Sequence, residues 1–400
     1  MFYWVTPRYI LGPEKTLPTS KKQDFCLQVF PRLHDIQRGA TKIMRRIISV
    51  TWPSLVLTVL FSASSTAGAQ GLNDYDYYKR VSPGKEKLIL PAYRGVPAKT
   101  RVLMKRAITQ SYKALGKRPI ANTYALYWHT KKSNLRKVAK KWCAVAGRKG
   151  PHLKRCLTEG GGWDKGFKTP NIASAVFETA TRKGLMESTQ GNWNDSNKNF
   201  HAKTAAHEYF HVYQTMMQHY FEKEDRIGIP KKQTKDDMHL GPVWMVEGGA
   251  DYFAYNVMGK HKWRDYEEWM EEILGEAKDE ISRGKRKGIK VILKNYATDA
   301  QIDKMKAKGF YAHFQYDGGA WAMAYLRYLT GTNKGVFTNY YKDIAELERT
   351  WRKKGKINYG WRKSFQKNFR MTVDQFYTRF NRFMKWPTSR QMKILSRPLS

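Results

Sequence analysis

His207-Glu208-Tyr209-Phe210-His211 sets two imidazoles four residues apart, with a carboxylate beside the first. On an α-helix, residues i and i+4 lie one above the other on one face, so both rings can reach a single metal ion. Glu208 is placed to hold a metal-bound water and act as its general base. The flanking sequence has helical spacing: Gln214 and Gln218 extend the polar face, and Phe210, Val212, Met217 and Tyr220 can face a core. A helix with two surface histidines would show the same local pattern. A third ligand from a second helix separates the two readings, because a His₂Glu zinc site needs one. Glu247, within Trp244-Met245-Val246-Glu247-Gly248-Gly249-Ala250-Asp251-Tyr252, is the candidate. His201, His219 and His239 flank the motif and read as surface or loop residues, with His239 the next candidate ligand.

The segment around Glu247 has the pattern W-x-x-E-G-x-A-x-Y and lies 36 residues after His211. It resembles the third-ligand helix of the gluzincin metallopeptidases, as seen in the aminopeptidase N family and the bacterial collagenases. The resemblance implies that His207, His211 and Glu247 hold Zn²⁺ and that Glu208 is the catalytic base. Asp251, one turn after Glu247, can accept a hydrogen bond from a ligand histidine and so orient it. Tyr316-Asp317-Gly318-Gly319-Ala320 is similar to the Y-x-K-G-A segment of the aminopeptidases, with Gly318 in place of the lysine. There the tyrosine donates to the tetrahedral oxyanion, which makes Tyr316 a candidate catalytic residue. A packed tyrosine with a polar tip is the alternative, and His313 is a second candidate donor. Gly184-Leu185-Met186-Glu187-Ser188, beginning 23 residues before His207, is similar to the G-x-M-E-N strand of the same enzymes, with Ser188 replacing asparagine. That strand's glutamate holds the substrate amine, so Glu187 is either a substrate-binding residue or an edge-strand carboxylate. The resemblance covers residues 184–330, and 335–385 are similar to the closing helices of the clan. The large N-terminal β-domain of the aminopeptidases has no counterpart here.

These residues need elements to carry them. Periodicity predicts a helix over 98–115, a strand over 119–128, a helix over 132–146 and a basic loop between Cys143 and Cys156. Short strands follow over 174–179 and 183–189, and a Gly/Asn/Asp loop over 191–199. Helices are then expected over 202–221, 243–258, 263–283, 319–330, 335–354, 360–369 and 373–384. Strands first and helices afterwards argue for an α+β chain. With the resemblance, this becomes a zincin-like domain: a small mixed sheet, an active-site helix and a mainly helical C-terminal part. The division expected is 98–258 for the subdomain with the metal site and 259–400 for the helical subdomain, preceded by an extended arm over 70–97.

Composition limits the alternatives. The 400 residues contain 73 Lys+Arg against 34 Asp+Glu, for a formal charge of +39. With 41% hydrophobic residues and 13 Trp the chain is not a disordered one. Three cysteines are too few for a disulfide-framed scaffold or a Cys₄ zinc module. No apolar run reaches the roughly 18 residues of a membrane span, which excludes a polytopic membrane protein. Met44-Arg45-Arg46, the apolar stretch Ile47 to Phe61 and Ala67-Gly68-Ala69 before Gln70 form a signal-peptide pattern. Residues 1–43 read as an upstream leader, 44–69 as the signal peptide, and Gln70 as the mature start. An uncleaved anchor is the alternative. Export to a periplasmic or extracellular space would let Cys143 and Cys156 form a disulfide. The expected function is a secreted or periplasmic zinc metallohydrolase acting on a peptide or protein substrate. The alternative is a non-catalytic cell-envelope or anionic-polymer-binding protein on a peptidase-like scaffold. The charge attracts anionic polymers or membrane surfaces, and no motif for specific nucleic-acid recognition accompanies it.

Overall fold

The structure is a computed structural model that describes residues 88–89, 95–116, 123–129, 132–158, 172–178, 183–190, 193, 196, 198–219, 240–333, 335–352 and 360–395. The leader, the signal-peptide pattern, Gln70 and His239 lie outside the described residues. The described residues all belong to one compact unit. Within them no helix is long and apolar enough to cross a membrane.

The chain is α+β. Strands β1 (Leu88–Ile89), β2 (Thr123–His129), β3 (Ile172–Glu178) and β4 (Lys183–Gln190) form one mixed sheet in the order β1-β2-β4-β3. β1 and β2 run parallel, as do β2 and β4, while β3 runs antiparallel to β4. A parallel pair needs a crossover. Helix α1 (Ala98–Ala114) makes the first, and α2 (Lys132–Val145) with α3 (Gly150–Thr158) lies in the second. β1 falls inside the stretch expected to be an extended arm.

Both sheet faces are covered. A Cβ on Gly184 would meet Val212 Cγ1 at 2.8 Å and Thr123 Oγ1 at 2.9 Å, so this face of β2 and β4 lies directly under helix α4 (Lys198–His219). Leu185 points to the other face and packs with Tyr124 against Trp142, Val145 and Ala146 of α2 and its end. Thr123, Ala125 and Leu126 are therefore all buried, which is why β2 shows no clean alternation.

The segment between the cysteines is helical, where a basic loop was expected. α2 ends at Gly147 (φ 72°), with Arg148 N–H donating to the Cys143 carbonyl and Gly147 N–H to that of Ala144. This is the left-handed glycine stop of a Schellman motif. Pro151 then sits in the first turn of α3, where its missing N–H costs nothing, so Gly150-Pro151 starts a helix here. Cys143 and Cys156 are joined by a disulfide that ties α2 to α3.

Beyond the sheet the chain is helical: α5 (Val243–Lys260), α6 (Tyr266–Arg286), a 3₁₀ turn (Leu293–Tyr296), α7 (Asp299–Ala307), α8 (Asp317–Thr330), a π-helical turn (Gly335–Asn339), α9 (Tyr340–Arg352), α10 (Gly360–Phe369), α11 (Val373–Phe383) and α12 (Thr388–Met392). The turn at 293–296, α7 and α12 were not anticipated. α7 has a capping box, in which the Thr298 side chain accepts from Gln301 N–H and Gln301 accepts from Thr298 N–H. α4 is buried all round from His201 to Met217, and α5 nearly so from Trp244 to Met258, so both are interior helices rather than amphipathic ones. Trp244, Phe253, Phe314 and Trp321 are among the large side chains fully buried around them.

Candidate metal centre

The centre lies where α4 and α5 cross. His207 and His211 share one face of α4, with Nε2 atoms 2.9 Å apart. Glu247, in the first half of α5, brings Oε2 to 3.2 Å from His211 Nε2 and 3.5 Å from His207 Nε2. All three side chains are buried, and they form a group that could hold a metal ion.

Hydrogen bonds fix what these nitrogens present. Gln214 donates its amide to the Val246 carbonyl (3.1 Å) and to the Tyr341 hydroxyl (2.7 Å). Its Oε1 must then be the atom 2.7 Å from His211 Nδ1, so Nδ1 carries the proton and donates. The carboxylate of Asp251 plays the same part for His207, with Oδ1 2.5 Å from Nδ1. With both imidazoles neutral, the two Nε2 atoms are lone-pair donors facing each other and a carboxylate oxygen in a buried pocket. Such an array repels itself unless a cation lies among the three.

The electrostatics point the same way. Burial alone would lower His207, but the charge and hydrogen bond of Asp251, with Glu247 and Glu208, raise it to about 9. Burial would raise Glu247, and the two histidines instead bring it down to about 2. For Asp251 burial is likewise outweighed, by Lys203 and His207, and its pKa is lowered. Lys203 is a buried lysine one turn before His207. Its ammonium donates to Asp251 Oδ1 and lies 5.2 Å from the Tyr255 ring centroid.

Glu208 points into the same interior. Its pKa is raised, chiefly by burial, with the histidines and Lys203 opposing and Glu247 adding to the rise. Its Oε2 is buried with no hydrogen-bond partner among the described residues. An orphan carboxylate oxygen beside three convergent ligand atoms is what a water between the base and an ion would satisfy.

Tyr316 stands next to this group, at the N-terminal boundary of α8, with its ring centroid 6.4 Å from that of His207. Burial, then the charges of Glu247, Asp251 and Glu208, hold its phenol far above the usual range, while a hydrogen bond from Gln315 opposes them. His313 packs on the outer side of Tyr316 at 4.6 Å and lies 3.3 Å from Asp317 Oδ2. Its ring stacks on Tyr311, which is exposed.

The other expected residues fall elsewhere. His201 is buried against Trp193, at 4.4 Å between centroids, and burial lowers its pKa to about 4, so it is a core histidine rather than a surface one. Glu187 lies in β4 opposite Leu126 and Ser174, and its side chain is outside the described residues, as is that of His219. The sequence reading missed Gln214 and Lys203 as partners of the centre. Gln214 carried a weak signal, three residues after His211 on the same face. Lys203 carried another, four residues before His207 on the same helix face. No family model matches this chain, and no curated protein or solved structure matches it either.

Proposed function

We propose that this chain is an exported zinc-dependent metallohydrolase of gluzincin type, a peptidase that opens peptide bonds by attack of water. One observation carries the reading: two imidazole Nε2 atoms and a Glu247 oxygen converge in a buried place where Glu208 leaves a carboxylate oxygen unpaired. Two imidazoles and one carboxylate are the protein donor set of catalytic zinc sites that keep a fourth position open. A divalent ion held by His207, His211 and Glu247 supplies Lewis acidity, polarising a carbonyl and acidifying water.

The chain's own residues do the rest. Glu208 takes a proton from the attacking water and returns it to the departing amine nitrogen. Asp251 and Gln214 hold the two imidazoles in one tautomer and one orientation. Tyr316, kept neutral by burial and by the carboxylates around it, donates to the oxyanion that develops on the substrate carbonyl. The Cys143–Cys156 disulfide and the signal-peptide pattern before Gln70 support an oxidising compartment. A binding protein on the same scaffold would need no base, so Glu208 beside a complete ligand set favours the enzyme.

Metal analysis of the purified protein followed by peptide-library cleavage tests this. The expected result is one zinc per chain and cleavage that Glu208→Gln abolishes while zinc is retained. Undiminished turnover in that variant, or a protein that takes up no divalent metal, would overturn the reading.

A further inference from the structure

The charge is unevenly placed along the sequence. From Lys87 to Thr158 there are 19 Lys and Arg and no Asp or Glu. The densest part is the α2–α3 hairpin: residues 132–158 hold nine Lys and Arg and no acid. Ala139, Cys143, Val145 and Ala146 turn inward toward the sheet. Lys137, Lys140 and Lys141 are exposed on the opposite face of α2, and Lys149 and Lys154 are exposed at the bend and on α3. Lys137 and Lys141 stand one helical turn apart, about 6 Å along the axis. That is less than the roughly 8 Å Debye length at physiological salt, and like charges at i,i+4 oppose helix formation. The hairpin is nonetheless fixed by a disulfide and a glycine stop, so the sequence holds repelling charges on a rigid surface.

We infer that the α2–α3 hairpin is a docking surface for an acidic polysaccharide, bound through its closely spaced anionic groups. Insertion into a membrane surface requires an exposed apolar face. The large exposed hydrophobic residues among those described are Val102, Tyr311 and Tyr328, none of them on the hairpin. Binding of single-stranded nucleic acid uses exposed aromatic rings as stacking platforms. The only Trp, Tyr or Phe in 132–158 is Trp142, which packs onto the Val145, Ala146 and Leu185 cluster. Among the described residues, what remains is fixed positive charge without an apolar anchor or a base-stacking ring, and this is complementary to a hydrophilic polyanion. The disulfide agrees with an extracellular polymer as the occupant.

Binding to immobilised heparin over a range of salt concentrations tests the inference. One variant carries Lys137→Gln, Lys140→Gln, Lys141→Gln, Lys149→Gln and Lys154→Gln. A second removes the same charge from exposed positions elsewhere, with Lys285, Arg286, Lys290, Lys304 and Lys308 each changed to Gln. The hairpin variant should bind roughly ten-fold more weakly at physiological salt, with a log–log salt slope shallower by about 3. The second should stay near the unaltered protein. Equal losses would mean diffuse charge and would overturn the inference, as would stronger binding to DNA or to anionic vesicles than to heparin. The readout needs neither metal nor turnover, so it stands or falls separately from the peptidase reading.

Discussion

Asp251 and Gln214 each anchor the Nδ1 of one imidazole, and both come with further ties: Asp251 to Lys203, Gln214 to Val246 and Tyr341. Removing either partner frees a ring without removing a ligand. Asp251→Asn and Gln214→Leu should each weaken zinc binding by about 10- to 100-fold, measured by competition with a chromophoric chelator. An unchanged affinity would reduce both to packing. Tyr316 makes a different prediction, because it supplies no ligand. Tyr316→Phe should lower kcat by roughly ten- to a thousandfold with zinc content unchanged. A fully active Phe variant would return the tyrosine to packing and turn attention to His313. At this scale the pairing of His207 with His211 as a candidate metal-holding group was legible because a helix makes i and i+4 neighbours. The orienting role of Gln214 was not, because the carbonyl that fixes its amide belongs to α5 and the hydroxyl to α9.

The elements reach the centre through a contact between two glycines. A Cβ on Gly248 of α5 would lie 2.2 Å from the Gly319 carbonyl carbon, and one on Gly319 of α8 would lie 2.5 Å from the Trp244 carbonyl oxygen. Only residues without side chains let these helices approach so closely. That approach sets Tyr316 at the start of α8 beside the candidate metal-holding residues carried on α4 and α5. Gly248→Ala should therefore destabilise the protein by about 1–3 kcal/mol, and also weaken zinc binding through its neighbour Glu247. Gly275, exposed on α6 with nothing within 4 Å of its would-be Cβ, is the comparison. Gly275→Ala should be neutral or stabilise by up to about 1 kcal/mol. Thermal melts and chelator competition on the two variants read both effects, and equal behaviour would dismiss the packing argument. Most helices were legible from periodicity and lie within a few residues of their expected bounds. α3 was not, since Gly150-Pro151 reads equally as a turn or as a helix start.

At the scale of the whole molecule, the centre unites α4, α5 and the start of α8, which are separated along the chain. An ion bound there favours the folded state by mass action, because the ligands are apart in the unfolded chain. With free zinc at 100 times its dissociation constant the gain is about 2.7 kcal/mol. Chelation should then lower Tm by about 3–4 °C for a chain of this size, and zinc should restore it. A melting curve indifferent to chelator would contradict an ion-linked core. The basic charge belongs to this scale too: the composition stated its size, and the fold places part of it on the outer face of one disulfide-tied hairpin.

The sequence by itself determined the kinds of groups available and their local spacing. It placed two imidazoles on one turn of helix with a carboxylate between them, a second carboxylate in an apolar helix 36 residues on, strands before helices, and a cysteine pair. These are legible because helical and strand periods, and the chemistry of side chains, act over a few residues. Only the tertiary structure decided that Glu247 Oε2 lies within 3.2–3.5 Å of both Nε2 atoms and that Asp251 and Gln214 divide the two Nδ1 protons between them. It also decided that His201 is a core residue and that Tyr316 stands beside His207. Those facts depend on how closely separate helices cross. The crossing is set by packing, here by Gly248 against Gly319, and no local pattern along the chain encodes which glycine will meet which.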